Sequence, residues 1–371
     1  MDFTLTHEQH LLQETTRRYL QDRAGFDTRR AGIHQPHPHD GAIWQGLAEL
    51  GLLALNTPAE FDGLGCGPIE TLLVMQAVGE SLLLAPYAAS AVVAAPLIDA
   101  LGSQAQRASY LPALAQGDCI AVLAHDEQNS THDRFDINAH AVTDGEQVRM
   151  SGHKCLVVHT LSADIVLITA QCQDQLAVFA VPTTLLTGRI VACPLVDGTL
   201  AADLLLDGLL IPANTRLGQT DATTAIGAAL DRGLAAACAE AVGVLDKLLA
   251  ATAEYTRNRH QFGVAIASFQ ALRHRLAEMV MHVEQARSMS YLAALRSIEP
   301  DLAERAKALS AAKVVIGQAC RFVGQQAVQL HGGMGVTDEL DVSHYFKRLM
   351  AIEMQWGSTE HHLQAFAAAL A

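Results

Sequence analysis

Charged and aromatic residues are scarce in this 371-residue sequence, which is 50% hydrophobic but only 17% charged and 5% aromatic. Basic residues are the scarcer sign, because 25 Lys and Arg stand against 39 Asp and Glu and leave a formal net charge of −14. Nucleic-acid binders need clustered Lys and Arg for phosphate contacts, so this balance argues against that function. The apolar content is sufficient for a large core and argues against extended disorder.

Cysteines are also few, and none of the seven forms a C-x-x-C pair. This usage predicts reduced thiols, with neither a disulfide framework nor a zinc site, and no metal is expected. The segment His34–His39 carries three histidines but is predicted to be a solvated Pro-rich loop rather than a metal site. The first residues lack the basic and apolar segments of a secretory signal, and no uncharged apolar run reaches membrane-spanning length. We therefore expect a cytoplasmic protein with no membrane association.

The hydrophobic period changes twice along the chain, which predicts three domains. Residues 1–118 have helical periodicity, with Thr6 and Gln9 as a capping box at the start. Residues 119–217 contain short alternating or β-branched runs between turn residues, and the last run, 203–212, is expected to be one closing strand. Residues 218–371 return to helical spacing. Helices, then a β-domain, then a helical bundle define an α+β fold class.

The stretch of helical spacing in 218–371 includes two long apolar seams. Leu272, Leu276 and Met279 begin the first seam, and Leu309, Ala312 and Ile316 begin the second. Narrow seams of this kind are typical of antiparallel bundles. A glycine-rich turn, Gln329–Gly335, follows the second seam, and glycine allows a backbone to approach a ligand closely.

A second motif, Arg259-His260-Gln261-Phe262-Gly263, precedes Ser268-Phe269-Gln270 about 70 residues upstream of that turn. Together with Gln329-Leu330-His331-Gly332-Gly333-Met334-Gly335, it resembles the C-terminal half of the acyl-CoA dehydrogenase family. That family carries Arg-x-x-Phe-Gly, then Gln, then Gln-x-x-Gly-Gly-x-Gly at similar intervals. The resemblance implies an N-terminal helical domain, a middle β-domain and a C-terminal four-helix bundle.

The resemblance also implies FAD as the cofactor and an acyl-CoA thioester as the substrate. In the family each FAD spans two subunits, with the flavin ring on one β-domain and the ADP end on the neighbour's C-terminal bundle. The matching positions here are Arg259, Phe262, Phe269, Gln270, Gln329, Gly332 and Gly333. Arginine pairs well with pyrophosphate oxygens. In the alternative interpretation, Arg259 only caps a helix and Gly332-Gly333 is only a tight turn.

The family's catalytic carboxylate is missing from its usual place. A positioned base must remove the α-proton of the thioester, and the family's Glu aligns here with Trp356, which has no basic lone pair. The position used by other members aligns with Gly233. Asp231 and Glu353 are weak substitutes, and both are expected to be ordinary solvated or N-terminal carboxylates.

The β-domain motifs are altered in a similar way. The family's Thr-Glu-Pro-x-x-Gly-Ser-Asp aligns with residues 126–133, where only Glu127 and Asp133 match. The family's Lys-x-Trp-Ile-Thr becomes Lys154-Cys155-Leu156-Val157-Val158, which has lost the flavin-flanking indole and the hydroxyl. The residues expected at the ADP end are kept, whereas those at the flavin end are lost.

In keeping the ADP-end residues and losing the flavin-end residues, the chain resembles the small subunits of heteromeric bacterial acyl-CoA dehydrogenases, such as the pimeloyl-CoA type. This resemblance implies a non-catalytic subunit that works with a paralogous catalytic subunit, in an α2β2 arrangement, and with an electron-transfer flavoprotein or similar acceptor. Two alternatives stay open. The chain could be a self-sufficient homotetramer with a relocated base, or a non-enzymatic acyl-CoA-binding scaffold.

Overall fold

A computed structural model describes residues 4–33, 35, 40–128 and 133–370 of the chain. The chain divides into two compact units. The first, here called the helical unit, comprises Met1–Arg29, Pro68–Leu83 and Leu234–Ala371. The second, called the mixed unit, comprises Arg30–Gly67 and Leu84–Gly233.

Helices account for most of the described chain. Their bounds are α1 (His7–Arg23), α2 (Phe26–Gly32), α3 (Gly41–Glu49), α4 (Pro68–Ser81), α5 (Ala95–Leu101), α6 (Gln104–Ala115), α7 (Thr223–Asn258), α8 (Gln270–Arg296), α9 (Leu302–His331), α10 (Asp341–Met354) and α11 (Thr359–Ala368). A π-helical segment, Ala88–Ala94, leads directly into α5. Thr6 and Gln9 form the predicted capping box of α1, and Ser103 with Gln106 forms another at α6.

Ten of the twelve strands in the described part of the chain lie in the mixed unit. The strand bounds are β1 (Ala121–Ala124), β2 (His140–Asp144), β3 (Gln147–Ser151), β4 (His153–Val158), β5 (Ile165–Cys172), β6 (Gln175–Pro182), β7 (Ile190–Pro194), β8 (Leu200–Leu205), β9 (Leu209–Pro212), β10 (Arg216–Leu217), β11 (His260–Gln261) and β12 (Val264–Ala265). A seven-stranded sheet has the order β10-β6-β5-β2-β3-β9, with β1 pairing in parallel with β5. A three-stranded antiparallel sheet has the order β4-β8-β7.

The predicted order of helices, strands and helices is confirmed, as are the C-terminal helical region and the α+β class. The prediction of one closing strand over 203–212 is wrong. Gly208 has a φ of 71°, and the chain turns there between β8 in the three-stranded sheet and β9 in the seven-stranded sheet. The leucines on both sides of Asp207-Gly208 gave no sign of this change of sheet, because both strands contain buried apolar residues. The segment His34–His39 lies outside the described residues, apart from Gln35.

A buried core joins α7, α8, α9 and α10 in the helical unit. The predicted seam residues Met279, Leu309 and Ile316 are all buried in it. No helix in the described part of the chain is both long and apolar enough to cross a lipid bilayer.

Helices α4 and α7 approach each other closely within the helical unit because each has a glycine at the contact. A Cβ on Gly79 would lie 2.1 Å from the Glu240 carbonyl oxygen. A Cβ on Gly243 would lie 1.9 Å from the Gln76 carbonyl oxygen. Both distances are far below van der Waals contact, so these positions require glycine.

Candidate functional site

Trp356 lies in the turn between α10 and α11, and its backbone is unusual. Its φ is 61°, and that of Gly357 is 98°. His362 Nε2 lies 2.8 Å from the Trp356 carbonyl oxygen and therefore carries the proton, since a carbonyl only accepts. A Cβ on Gly357 would meet the two following histidine rings at 2.8 Å. The turn is thus held in one shape, with the indole partly buried against the core of the helical unit.

Glu353 is not the solvated or N-terminal carboxylate that the sequence led us to expect. It is 1% exposed and sits near the C-terminal end of α10. Its Oε1 accepts hydrogen bonds from Thr359 N at 3.1 Å, Thr359 Oγ1 at 2.7 Å and Arg321 Nη2 at 2.9 Å. Burial alone would raise the pKa of Glu353, but the Thr359 hydrogen bonds and the Arg321 charge outweigh it and lower the pKa.

The expectation of a solvated or N-terminal carboxylate is also wrong for Asp231. It is 2% exposed, and its Oδ1 lies 2.6 Å from Arg134 Nη1. It lies in the third turn of α7, so it is not an N-terminal carboxylate. Both weak candidates for a substitute base are therefore buried in ion pairs. A carboxylate engaged in this way would first have to leave its donors before it could accept a proton from a substrate.

Lys313 positions the turn that carries Trp356, and sequence reasoning missed it. Its buried ammonium donates to the carbonyls of Ile352, Glu353 and Gln355 at 2.8, 3.2 and 2.6 Å. These carbonyls belong to the last turn of α10 and the residue after it, where a cation also favours the helix dipole. Burial lowers the pKa of Lys313. The sequence feature that could have indicated this role is that Lys313 directly follows Ala312, a residue of the apolar seam of α9.

Four of the expected cofactor residues surround one small hairpin after α7, formed by β11 and β12. Phe262 is at its tip with a φ of 55° and is 91% exposed. The Phe262 and Phe269 rings meet edge to face, with centroids 6.1 Å apart. Arg259 is exposed, and its guanidinium has no hydrogen-bond or ion-pair partner among the described residues. Gln270 begins α8.

The remaining three expected residues lie at the end of α9. A stacked contact between Tyr255 and His331, with centroids 4.3 Å apart, joins this end to the last turn of α7. Gly332 has a φ of 62°, which favours glycine. A Cβ on Gly333 would meet nothing within 4 Å, so internal packing does not explain the glycine there. Gln329 is exposed beside them.

The β-domain residues that match the family motifs have internal partners in the mixed unit. Lys154 is fully buried, and its Nζ donates to Glu127 Oε1 at 2.6 Å, Thr169 Oγ1 at 3.0 Å and the His125 carbonyl at 3.1 Å. Glu127 also accepts from the backbone N–H groups of Asn138 and Ala139.

The charges of Lys154 and Glu127 stabilise each other. Burial opposes ionisation of Glu127, but the hydrogen bond and charge of Lys154 lower its pKa overall. Burial likewise lowers the pKa of Lys154, and the Glu127 carboxylate opposes that effect. Asp133, the other matching residue, accepts from the Phe135 N–H at 2.9 Å and forms a local turn. Residues 129–132 of the motif lie outside the described part.

Two family models match the chain. Residues 6–118 match the acyl-CoA dehydrogenase N-terminal domain, and residues 223–371 match the acyl-CoA dehydrogenase C-terminal domain. Together they cover well over half of the sequence.

Full-length relatives give the same result. The probable acyl-CoA dehydrogenase YngJ of Bacillus subtilis (strain 168) is 28% identical over 375 aligned positions, which cover 97% of each chain. Among solved structures, a variant of the steroid ACAD Tcur3481-Tcur3483 has a TM-score of 0.89 and 27% identity, covering 99% of this chain and 98% of that one. The ChsE4-ChsE5 complex from Mycobacterium tuberculosis has a TM-score of 0.88 and 26% identity, covering 100% and 99%.

Proposed function

The chain belongs to the acyl-CoA dehydrogenase family, and from that premise we propose that it is a non-catalytic subunit of a heteromeric, FAD-dependent enzyme. The proposed reaction is the α,β-dehydrogenation of an acyl-CoA thioester. A paralogous partner subunit supplies the base. The observation that carries the proposal is Trp356 at the base position, with the buried carboxylates of Glu353 and Asp231 each paired with an arginine.

The reaction sets the requirement that this chain fails to meet. A carboxylate must take the α-proton, because a proton next to a thioester is only weakly acidic. FAD, when bound, would supply the acceptor for the hydride from Cβ. Indole offers no lone pair for the proton, and the Trp356 turn is fixed by Lys313 and His362. Proton removal therefore falls to the partner.

The pattern of kept and lost motif residues supports this division. Glu127, Lys154 and Asp133 are kept, and each makes hydrogen bonds inside the mixed unit. These bonds are needed for folding whether or not a flavin binds. The family's indole and threonine are replaced by Leu156 and Val158, which cannot make the same contacts. This pattern is the one expected of a chain that keeps the fold of the mixed unit but does not itself carry out the flavin chemistry.

The helical unit has the features needed to hold the ADP end of FAD for a neighbour. Arg259 offers the pyrophosphate a guanidinium that has no partner among the residues that the structure describes. Gly332 and Gly333 present backbone that an adenosine group can approach closely. Phe262 exposes 91% of its surface, as expected for a residue that is covered in an assembly. We assign Phe269, Gln270 and Gln329 to the same site.

Coexpression tests the proposal. The chain is purified alone and together with a paralogue that carries the catalytic glutamate, and acyl-CoA-dependent reduction of a dye is measured with each. We expect activity from the pair and none from the chain alone. Turnover by the lone chain, lost in Glu353→Gln or Asp231→Asn, would instead establish the homotetramer with a relocated base. Thioester binding without flavin in either preparation would establish the scaffold.

A matched pair of variants tests the ADP site separately. Arg259→Ala in the coexpressed complex should lower the flavin content. Arg257→Ala should not, because its guanidinium already donates to the Ala253 carbonyl at 3.1 Å. Equal flavin content in both variants would contradict the assignment of Arg259. The proposal also includes an electron-transfer flavoprotein or similar acceptor and a cytoplasmic location.

A further inference from the structure

A mixed cluster of histidine, cysteine and aspartate lies on the three-stranded sheet of the mixed unit, and nothing in the proposed function uses it. His153 and Cys155 are two residues apart on β4, and Asp203 is on the adjacent strand β8. One potential ligand atom from each residue lies within 4.8 Å of the other two. Lys154, which separates the first two, is buried in its pair with Glu127, so its ammonium is engaged elsewhere.

The separations suit a tetrahedral ion. His153 Nε2 lies 3.4 Å from Asp203 Oδ2. Zinc bonds to nitrogen and oxygen of roughly 2.0–2.2 Å, at tetrahedral angles, place two such ligand atoms about 3.3 Å apart. A zinc–sulfur bond of about 2.3 Å places the thiolate at about 3.6 Å from either. The cluster limit of 4.8 Å exceeds the thiolate separation by roughly 1.2 Å, and the side chains would have to move together by at most that much to bind one ion.

The surroundings of His153 Nε2 favour a bound metal ion over a hydrogen bond within the protein. His153 Nε2 is buried and has no hydrogen-bond partner among the described residues. Its 3.4 Å contact with Asp203 Oδ2 is longer than a normal hydrogen bond and is an ion pair only when the imidazole is protonated. A buried nitrogen without a partner is costly, and a bound ion would remove that cost.

Hydrogen bonds hold the groups around the cluster in place without a bound ion. Asp203 Oδ1 accepts from the Leu156 N–H at 2.9 Å, which orients its other oxygen. The Cys155 N–H donates to the Asp126 carbonyl at 2.8 Å. Leu156 has a φ of 51°, and the register between β4 and β8 shifts there, between Lys154 and Val157. Such outer contacts orient ligands in metal sites, and bulges commonly re-aim side chains.

We propose that His153, Cys155 and Asp203 bind a zinc ion, with water in the fourth position. A set of one imidazole, one thiolate and one carboxylate suits zinc and related transition metals, whereas calcium and magnesium prefer oxygen ligands alone. The cysteine spacing could not reveal this site, because its ligands come from two strands and contain a single cysteine. The proposal is independent of the enzymatic role.

Cobalt substitution tests the site on the full chain. Co²⁺ is titrated into metal-free protein, and the thiolate-to-cobalt charge-transfer band in the near ultraviolet is recorded. We expect a band that saturates at one ion per chain and is displaced by Zn²⁺. The band requires a cysteine ligand, so cobalt bound by the His34–His39 segment cannot produce it.

The variants Cys155→Ser and Cys193→Ser form a matched pair. Cys193 is on β7 of the same sheet and is outside the cluster. Cys155→Ser should abolish the band, and Cys193→Ser should keep it. Circular dichroism checks that both fold, and His153→Ala should weaken cobalt binding at least tenfold. Absence of a band in the wild type, or an unchanged band in Cys155→Ser, would overturn the proposal.

Discussion

Replacing Lys154 with methionine should be among the most damaging single substitutions in the mixed unit. Methionine fills a similar apolar volume but removes three hydrogen bonds and leaves the Glu127 carboxylate buried without its counter-charge. Removing one partner of a buried ion pair costs about 3–5 kcal/mol. Against a typical total stability of about 5–15 kcal/mol, this loss is a large fraction.

The chain supplies a matched control in Lys347, whose ion pair with Asp338 is 2.7 Å long but lies at the surface. The exposed fractions of the two side chains there are 33% and 74%, against 0% and 6% for Lys154 and Glu127. Exposed pairs contribute about 0–1 kcal/mol. Lys347→Met should therefore change stability by less than about 1 kcal/mol.

Urea unfolding followed by circular dichroism measures both variants, and the double variant Lys154→Met/Glu127→Gln isolates the charge. Glutamine carries no charge, and its single carbonyl oxygen can keep one of the two backbone hydrogen bonds, which the Asn138 N–H now makes to Oε2 and the Ala139 N–H to Oε1 of Glu127. The double variant should regain part of the stability lost in Lys154→Met. If Lys154→Met costs no more than Lys347→Met, or if Glu127→Gln adds to its cost, the reasoning from burial is refuted.

Four further predictions concern the helical unit. Lys313→Met should cost about 3 kcal/mol in urea unfolding, because three buried carbonyls lose a charged donor; a cost similar to that of Lys347→Met would contradict this. The folded pKa of Glu353 is lowered, so its contribution is complete above the ordinary carboxyl pKa and is lost as pH falls through the folded value. Glu353→Gln should reduce that acid dependence of the melting temperature, and unchanged acid dependence would count against it. Gly317→Ala should destabilise by about 1–3 kcal/mol, since its Cβ would lie 2.2 Å from Thr359 Oγ1. Gly333→Ala should stay within about 0.5 kcal/mol yet lower the flavin content of the coexpressed complex.

The long helices could be predicted from the sequence because their apolar residues recur over many turns. The seams that begin at Leu272 and Leu309 lie within α8 and α9 as expected. The capping box at Thr6 is equally local and was also predicted. The turn between β8 and β9 was missed because leucines on both sides masked Asp207-Gly208 as a turn signal.

The environment of the two carboxylates could not be predicted, because their partners are distant in sequence. Arg134 is 97 residues from Asp231, and Arg321 is 32 residues from Glu353. Counting along a helix identifies the face of a residue but not the group opposite it. The zinc-site ligands His153 and Asp203 present the same difficulty, since a strand pairing brings them together.

The crossing of α4 and α7 has a consequence for how this chain can vary over time. Gly79 and Gly243 each face a peptide carbonyl of the opposing helix, and a carbonyl in a helix has no alternative rotamer. A larger residue at either position cannot be compensated by a smaller side chain across the contact, as happens in ordinary cores. Descendants of this sequence should therefore retain both glycines together, or else move the two helices apart and lose the crossing.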